Sequence, residues 1–169
     1  MVIRGSSDSS TWRMGRWEIS FFLVWLAMRS RSQNASVLYY IDHIRKIIKS
    51  PMLDLSEYSN TDLKLAYGVG NFKVLCEYDE NFNHFLLALT NLARACTEAG
   101  LYSEAEQTFL LAFHYGSQKM TDYTSLADIY LHLEEPEKIS ALIRNVEDGP
   151  LPHKEALIQA LEQKLMAYR

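Results

Sequence analysis

Apolar side chains recur every three or four residues along most of the chain after residue 36, which is typical of amphipathic helices. The pattern predicts helices over about 36–49, 61–78, 84–99 and 103–116, another from 121 or 122, and further ones from 136 and 152. In the helix predicted over 61–78, Leu65 and Val69 are expected to face inward, although Gly68 and Gly70 favour a close contact or a short break.

Capping and stop signals set the expected ends of these helices. Ser36 is predicted to cap the first, Ser103 to form a capping box with Glu106, and Thr121 or Asp122 to cap the helix that follows. Gly100, Gly116 and the Gly149–Pro150 pair are predicted stops. Pro136 suits the first turn of a helix, where its missing N–H costs nothing.

The N-terminal segment, residues 1–35, differs from the rest of the chain. It is basic and contains a ten-residue apolar run, residues 19–28, which Arg29 ends. This run is about half as long as a membrane-spanning helix requires. Three interpretations remain open: a helix docked on the body or on a partner, a short or tilted membrane anchor formed by Trp17 to Met28, and a cleaved signal.

Residues 36–169 contain an internal echo at a spacing of about 34 residues. Leu92 and Ala93 recur as Leu126 and Ala127, and Ala112 recurs as Val146. A fixed period of this length is typical of stacked helical hairpins, because each hairpin buries its apolar face against the next one.

The echo resembles the tetratricopeptide repeat, with the best repeats at 86–119 and 120–153. The matching positions are Leu89, Leu92, Ala93, Cys96, Gly100, Tyr102, Ala105, Phe109 and Ala112 in the first repeat, and Tyr123, Leu126, Ala127, Tyr130, Glu134, Pro136, Ile139, Ile143 and Val146 in the second. The second repeat departs from the pattern at Glu134, where a glycine is expected, and at Ile139, where a small residue is expected. The resemblance implies an all-α fold: a short right-handed stack of antiparallel hairpins after the N-terminal apolar helix, closed by a capping helix over 153–168.

The resemblance also implies a binding groove lined by the first helix of each hairpin. Position by position, it assigns to this groove Leu87, Thr90, Asn91, Arg94, Glu98, Thr124, Asp128, Leu131 and His132. The implied function is that of a non-enzymatic protein–protein interaction module, an adaptor or assembly scaffold that binds a partner peptide or helix. The alternatives are a small secretion or export chaperone and an RNA-binding pentatricopeptide-like repeat.

Charge weighs against the RNA-binding alternative. Residues 1–50 carry eight Lys or Arg against three acids, whereas residues 51–169 carry nine basic and eighteen acidic residues. Because nucleic-acid affinity comes largely from neutralised phosphates, an acidic body predicts a protein or peptide partner and no nucleic acid.

Catalytic and metal-binding motifs do not emerge from the sequence. The five histidines show no i, i+4 pairing, and neither Cys76 nor Cys96 belongs to a CxxC motif. We therefore expect no enzyme activity, no metal and no cofactor. Two reduced core thiols favour the cytoplasm, either for a free protein or for a repeat domain that a membrane anchor holds at the cytoplasmic face.

Overall fold

The computed structural model describes residues 34–168, and all regular structure in that part of the chain is helical. The seven helices are α1 (Ala35–Ile47), α2 (Asn60–Tyr67), α3 (Val69–Glu98), α4 (Tyr102–His114), α5 (Met120–His132), α6 (Pro136–Asp148) and α7 (Lys154–Tyr168). The prediction of an all-α fold is confirmed for these residues. The predicted N-terminal apolar helix lies outside them.

Helix α1 begins one residue earlier than the sequence predicts, because Asn34 rather than Ser36 caps it. The Asn34 Oδ1 atom accepts hydrogen bonds from the backbone N–H groups of Ser36 and Val37, at 3.0 and 3.3 Å. Its buried stripe includes Ile41 and Ile44, and the helix packs on α3.

The helix predicted over 61–78 is broken at Gly68, and the gap predicted between it and the next helix is absent. Gly68 has a φ of 82°, a left-handed conformation that glycine adopts without steric cost. From Val69 the chain runs without interruption for 30 residues to Glu98. Leu65 and Val69 are exposed at 81% and 76%, so the prediction that they face inward is wrong.

Helix ends recur one sequence period apart in the second half of the structure. Helices α3 and α5 end at Glu98 and His132, and α5 and α7 begin at Met120 and Lys154. Helices α4 and α6 share this offset at both ends, and each has 13 residues. Loops of three residues therefore join α3 to α4 and α5 to α6, and loops of five join α4 to α5 and α6 to α7.

The two three-residue loops have the same hydrogen bonds. The Leu101 N–H donates to the Cys96 carbonyl, and the Glu135 N–H donates to the Tyr130 carbonyl, both at 2.8 Å. Gly100 has a φ of 73°, and Glu134 has a φ of 59°. This is the Schellman arrangement that ends a helix on a left-handed residue. Glu134 thus takes the glycine conformation, and the turn keeps its shape.

One cluster of buried apolar side chains connects α1 to α3 and continues through α4, α5, α6 and α7. Leu89, Leu92, Phe109, Leu126 and Ile139 are completely buried in it. Neighbouring helices pack in chain order from α3 to α7, and α7 also contacts α5. Leu63 of α2 and Leu75 of α3 are buried outside this cluster. Among residues 34–168, no helix has the length and apolar character needed to cross a lipid bilayer.

Candidate partner-binding face

The predicted groove residues lie on α3 and α5. We call them the groove face: Leu87, Asn91, Arg94 and Glu98 of α3, with Thr124, Asp128, Leu131 and His132 of α5. On α3 they are spaced by four, three and four residues, which places them on one side of the helix. Leu87, Glu98, Asp128 and His132 are exposed, while the other four are half-buried.

Thr90 does not belong to this face, although the resemblance assigns it there. Its side chain is 1% exposed, and its hydroxyl donates a hydrogen bond of 3.1 Å to the Leu87 carbonyl. It lies three residues before Ala93 on the packed side of α3, where a small side chain fits. The assignment of Thr90 to an accessible groove is therefore wrong.

Arg94 joins α3 to α5. Its Nη2 atom lies 2.8 Å from Oδ1 of Asp122, and it also donates to the Thr121 hydroxyl at 3.2 Å. Asp122 is completely buried, and its Oδ2 atom accepts a hydrogen bond from the Ser117 hydroxyl at 3.2 Å. A buried carboxylate needs such partners, because water no longer solvates it. Arg94 therefore holds the two helices of the groove face together as well as presenting charge on it.

Asp122 does not cap α5, contrary to the prediction. The helix begins at Met120 after Lys119, without a side-chain hydrogen bond at the cap. Ser103 does not cap α4 either, because that helix begins at Tyr102 after Leu101. The Schellman turn at Gly100 leads directly into α4, and the Asp122 carboxylate binds Arg94 and Ser117 instead of capping α5.

Helix α7 continues the line of helices beside α5. The Lys164 Nζ atom pairs with Oδ1 of Asp128, so one acidic group of the groove face is partly neutralised. One turn further along α5, the ring of His132 lies 4.2 Å from the ring of Tyr102 on α4. The groove face thus has an apolar position at Leu87, polar edges at Asn91 and Glu98, and paired charges between the helices.

A second charged cluster lies on α4 and α6, the second helices of the two hairpins. Lys138 of α6 pairs with Glu106 of α4 at 2.9 Å and with Glu135 at 2.7 Å, and its Nζ atom lies 5.2 Å from the centre of the Tyr130 ring. Hydrogen bonding to Glu135 raises the pKa of Lys138, and burial raises the pKa of Tyr130. Glu106, predicted to serve a capping box, instead links α4 to α6.

The chemically reactive groups considered from the sequence are thiols and metal ligands. Burial raises the pKa of the Cys96 thiol to about 12, which keeps it protonated and weakly nucleophilic at neutral pH. Among residues 34–168, no three His, Cys, Asp or Glu side chains lie close enough together to hold a metal ion.

Sequence reasoning missed Asp122, Ser117 and Lys164 as partners of this face. The spacing of 36 residues from Asp128 to Lys164 lies close to the period of the sequence echo, whereas the spacing of 28 from Arg94 to Asp122 falls short of it. Opposite charges about one period apart on equivalent helices could have indicated the Asp128–Lys164 pair, whereas the cap-like position of Asp122 pointed to a local role.

Comparisons of the chain with protein families, with curated proteins and with solved structures gave no match.

Proposed function

We propose that this chain is a non-enzymatic protein–protein interaction module whose helices from the second half of α3 onward form a stack of the tetratricopeptide kind. The recurrence of helix ends at the period of the sequence echo carries the proposal. The same offset relates Leu92 to Leu126 and Ala105 to Ile139, and all four are completely buried. Equivalent positions in the two hairpins therefore have the same packing role, as the members of a repeat must.

The side-chain links between hairpins support the same proposal. Arg94 with Asp122 connects α3 to α5, and Asp128 with Lys164 connects α5 to α7. Glu106 with Lys138 connects α4 to α6. First helices are thus joined to first helices and second helices to second helices, the order expected when hairpins lie side by side.

The groove face fits a peptide or helix with both apolar and polar contacts. Leu87 is 44% exposed, and it offers an apolar position next to the amide of Asn91. Glu98 and Asp128 are exposed acidic side chains on this face, and Lys164 neutralises only Asp128, so a partner segment with a basic residue beside an apolar one is favoured. The proposed activity is therefore that of an adaptor or assembly scaffold.

The test uses the full chain and one apolar-to-charged substitution on the face. Leu87→Glu should abolish capture of the partner by in-cell crosslinking and reduce the affinity of the purified pair at least tenfold, because it places a charge at the apolar contact, where binding must remove its water. Leu110→Glu is the matched control, since Leu110 is 40% exposed on α4, outside the face.

Arg94 is unsuitable for this test, because its loss also leaves Asp122 without its ion pair. If Leu87→Glu captures every partner as well as Leu110→Glu does, the groove face is not the binding site. Loss of the same partner in both variants would place binding elsewhere.

A further inference from the structure

Helices α6 and α7 form a shallow channel along their contact, which we call the terminal groove. It consists of two adjoining hollows of about 310 and 390 Å³ that share Ser140 and Leu165. One hollow extends to Pro136 and Tyr168, and the other to Met166. None of these residues belongs to the groove face.

The equivalent place one period earlier is occupied by a helix. Shifted by one period, α4 and α5 correspond to α6 and α7, and α6 itself packs on α5 and pairs with α4 through Lys138 and Glu106. It buries Ile139, Leu142 and Val146 there, at i, i+3 and i+7. Among the described residues no helix covers the corresponding surface of α6 and α7. The terminal groove therefore has the layout of a helix-binding site.

The surface of the terminal groove is apolar in the middle and acidic at the rim. Ile143 and Leu165 are half-buried in it, and Met166 is 70% exposed. The charged side chains that line the two hollows are Glu137, Arg144, Glu147 and Glu162. Three carboxylates against one guanidinium give a net charge of −2, so a basic segment with an apolar centre is the complementary ligand.

We infer that the terminal groove binds residues 16–31 of a second copy of this chain. That segment has the uncharged apolar run 19–28 at its centre, and Arg16, Glu18, Arg29 and Arg31 around it give a net charge of +2. As a helix, a run of ten residues would be about 15 Å long, which fits within the roughly 20 Å of the 13-residue helix α6 that fills the preceding position. The segment lies outside the described residues, and its sequence is complementary to the groove in charge and in its apolar centre.

Such a contact joins residues 16–31 of one copy, which we call the head, to the terminal groove of the next copy, which we call the tail. Because the two surfaces differ, it is heterologous, and it leads to open chains unless the rotation closes a ring. This self-association is a property beyond the proposed partner binding, and it uses a different surface.

Sedimentation of the full chain tests the inference through two complementary variants. The head variant Phe22→Asp/Leu26→Asp places two charges in the apolar run, and the tail variant Ser140→Lys/Met166→Lys neutralises the net negative charge of the groove at two exposed positions. The unmodified chain should show a mass that rises with concentration and falls with salt. Each variant alone should be monomeric, with at least a tenfold lower association constant, while circular dichroism shows unchanged helix content.

Mixing the two variants gives the decisive result. Each retains one intact surface, so the mixture should form a 1:1 dimer and nothing larger. Leu110→Lys, an exposed change on α4, should associate as the unmodified chain does. A monomeric full chain, a tail variant that associates normally, or a mixture that stays monomeric would each overturn the inference. Pelleting with lipid vesicles at the expense of association, unaffected by the tail substitutions, would also overturn it and assign the segment to a membrane.

Discussion

Asp122 is completely buried, whereas its ion-pair partner Arg94 keeps 43% of its side-chain surface exposed. The two sides of this pair therefore respond differently to substitution. Without Asp122, water can still solvate the guanidinium. Without Arg94, the carboxylate keeps only the Ser117 hydroxyl among the side-chain partners described above, in a place that water does not reach.

We predict that Arg94→Ala lowers the free energy of unfolding by about 2 kcal/mol, because it leaves a buried charge without its counterion. In the double variant Arg94→Ala/Asp122→Ala the loss should be smaller than the sum of the two single losses. Urea unfolding measures all three. The control is Lys46→Ala, which removes an exposed pair with Asp42 at 2.7 Å and should leave stability unchanged. Additive single losses would contradict this role of the pair.

The thiol of Cys96 predicts a pH dependence of stability. Burial, together with the nearby Glu104, raises its pKa from 9.0 to about 12 in the folded chain. Above pH 9 the unfolded chain therefore loses a proton that the folded chain retains, and stability falls as the pH rises. Between pH 8 and pH 10 the loss should be about 1 kcal/mol.

Urea unfolding under reducing conditions at pH 8, 9 and 10 checks this, with Cys96→Ala as the control. The stability difference between the two chains should shrink as the pH rises, because the variant has no thiol to ionise. Equal pH profiles would show that Cys96 ionises alike in both states. Below pH 10 the tyrosines whose pKa is also raised, Tyr123 and Tyr130, contribute little.

At the scale of helices and turns, the three-residue loop is the feature that repeats. Gly100 and Glu134 hold the same left-handed conformation one period apart. A left-handed backbone costs an L-residue about 1–2 kcal/mol, and glycine avoids this cost but loses more chain entropy on folding. The second turn therefore keeps a strained residue where the first has glycine.

We predict that Glu134→Gly raises the free energy of unfolding by about 0.5–1 kcal/mol, and that Gly100→Ala lowers it by about 1 kcal/mol. No atom lies within 4 Å of a Cβ placed on Gly100, so backbone strain alone would account for the loss. Gly70→Ala is the control, since Gly70 also has open space and lies inside α3 without a positive φ. It should not destabilise the chain. Thermal unfolding of the three variants tests the assignment, and a destabilised Glu134→Gly would contradict it.

The sequence was informative for elements whose signal is local. Apolar periodicity located the helices, Pro136 marked the start of α6, and Gly100, Gly116 and Gly149 marked helix ends. It failed where a distant contact decides the role of a residue. Ser103, Asp122 and Glu106 have the spacing of capping residues, but Asp122 and Glu106 form ion pairs with distant helices instead. The cap at Asn34 could not be read from the apolar stripe, which begins after it.

The groove stays a prediction, and the structure corrects it at one position. Eight of the nine residues assigned to it are exposed or half-buried on α3 and α5, but Thr90 is buried. One position separates Thr90 from Asn91, and a rotation of about 100° along the helix decides between core and surface. Periodicity over the whole helix does not resolve such boundary positions.

At the scale of the whole molecule, α2 stands apart from the main core. Within α2 only Leu63 is buried, and it packs outside the cluster that connects α1 to α7. The helix is short, with eight residues, so its own hydrogen bonds contribute little stability without packing. We therefore expect α2 to open locally without unfolding the rest of the chain.

Hydrogen exchange checks this expectation. Amides of α2 should exchange at a free energy well below the global value, while those around Leu92 and Leu126 exchange only on global unfolding. Leu63→Ala should abolish protection in α2 and change global stability by less than about 1 kcal/mol, whereas Leu92→Ala should cost about 3 kcal/mol. Equal protection in α2 and α5 would show instead that the fold opens as one unit.

The unbroken course of α3 has a mechanical consequence. Thirty residues of helix make a rod about 45 Å long, with the exposed Val69 and the neighbouring helix α2 at one end and Arg94 near the other. A hinge between residues 78 and 83 would have let the two ends tilt independently. Because the helix has no hinge there, a partner that binds the N-terminal end of α3 also sets the orientation of the surface that carries Arg94.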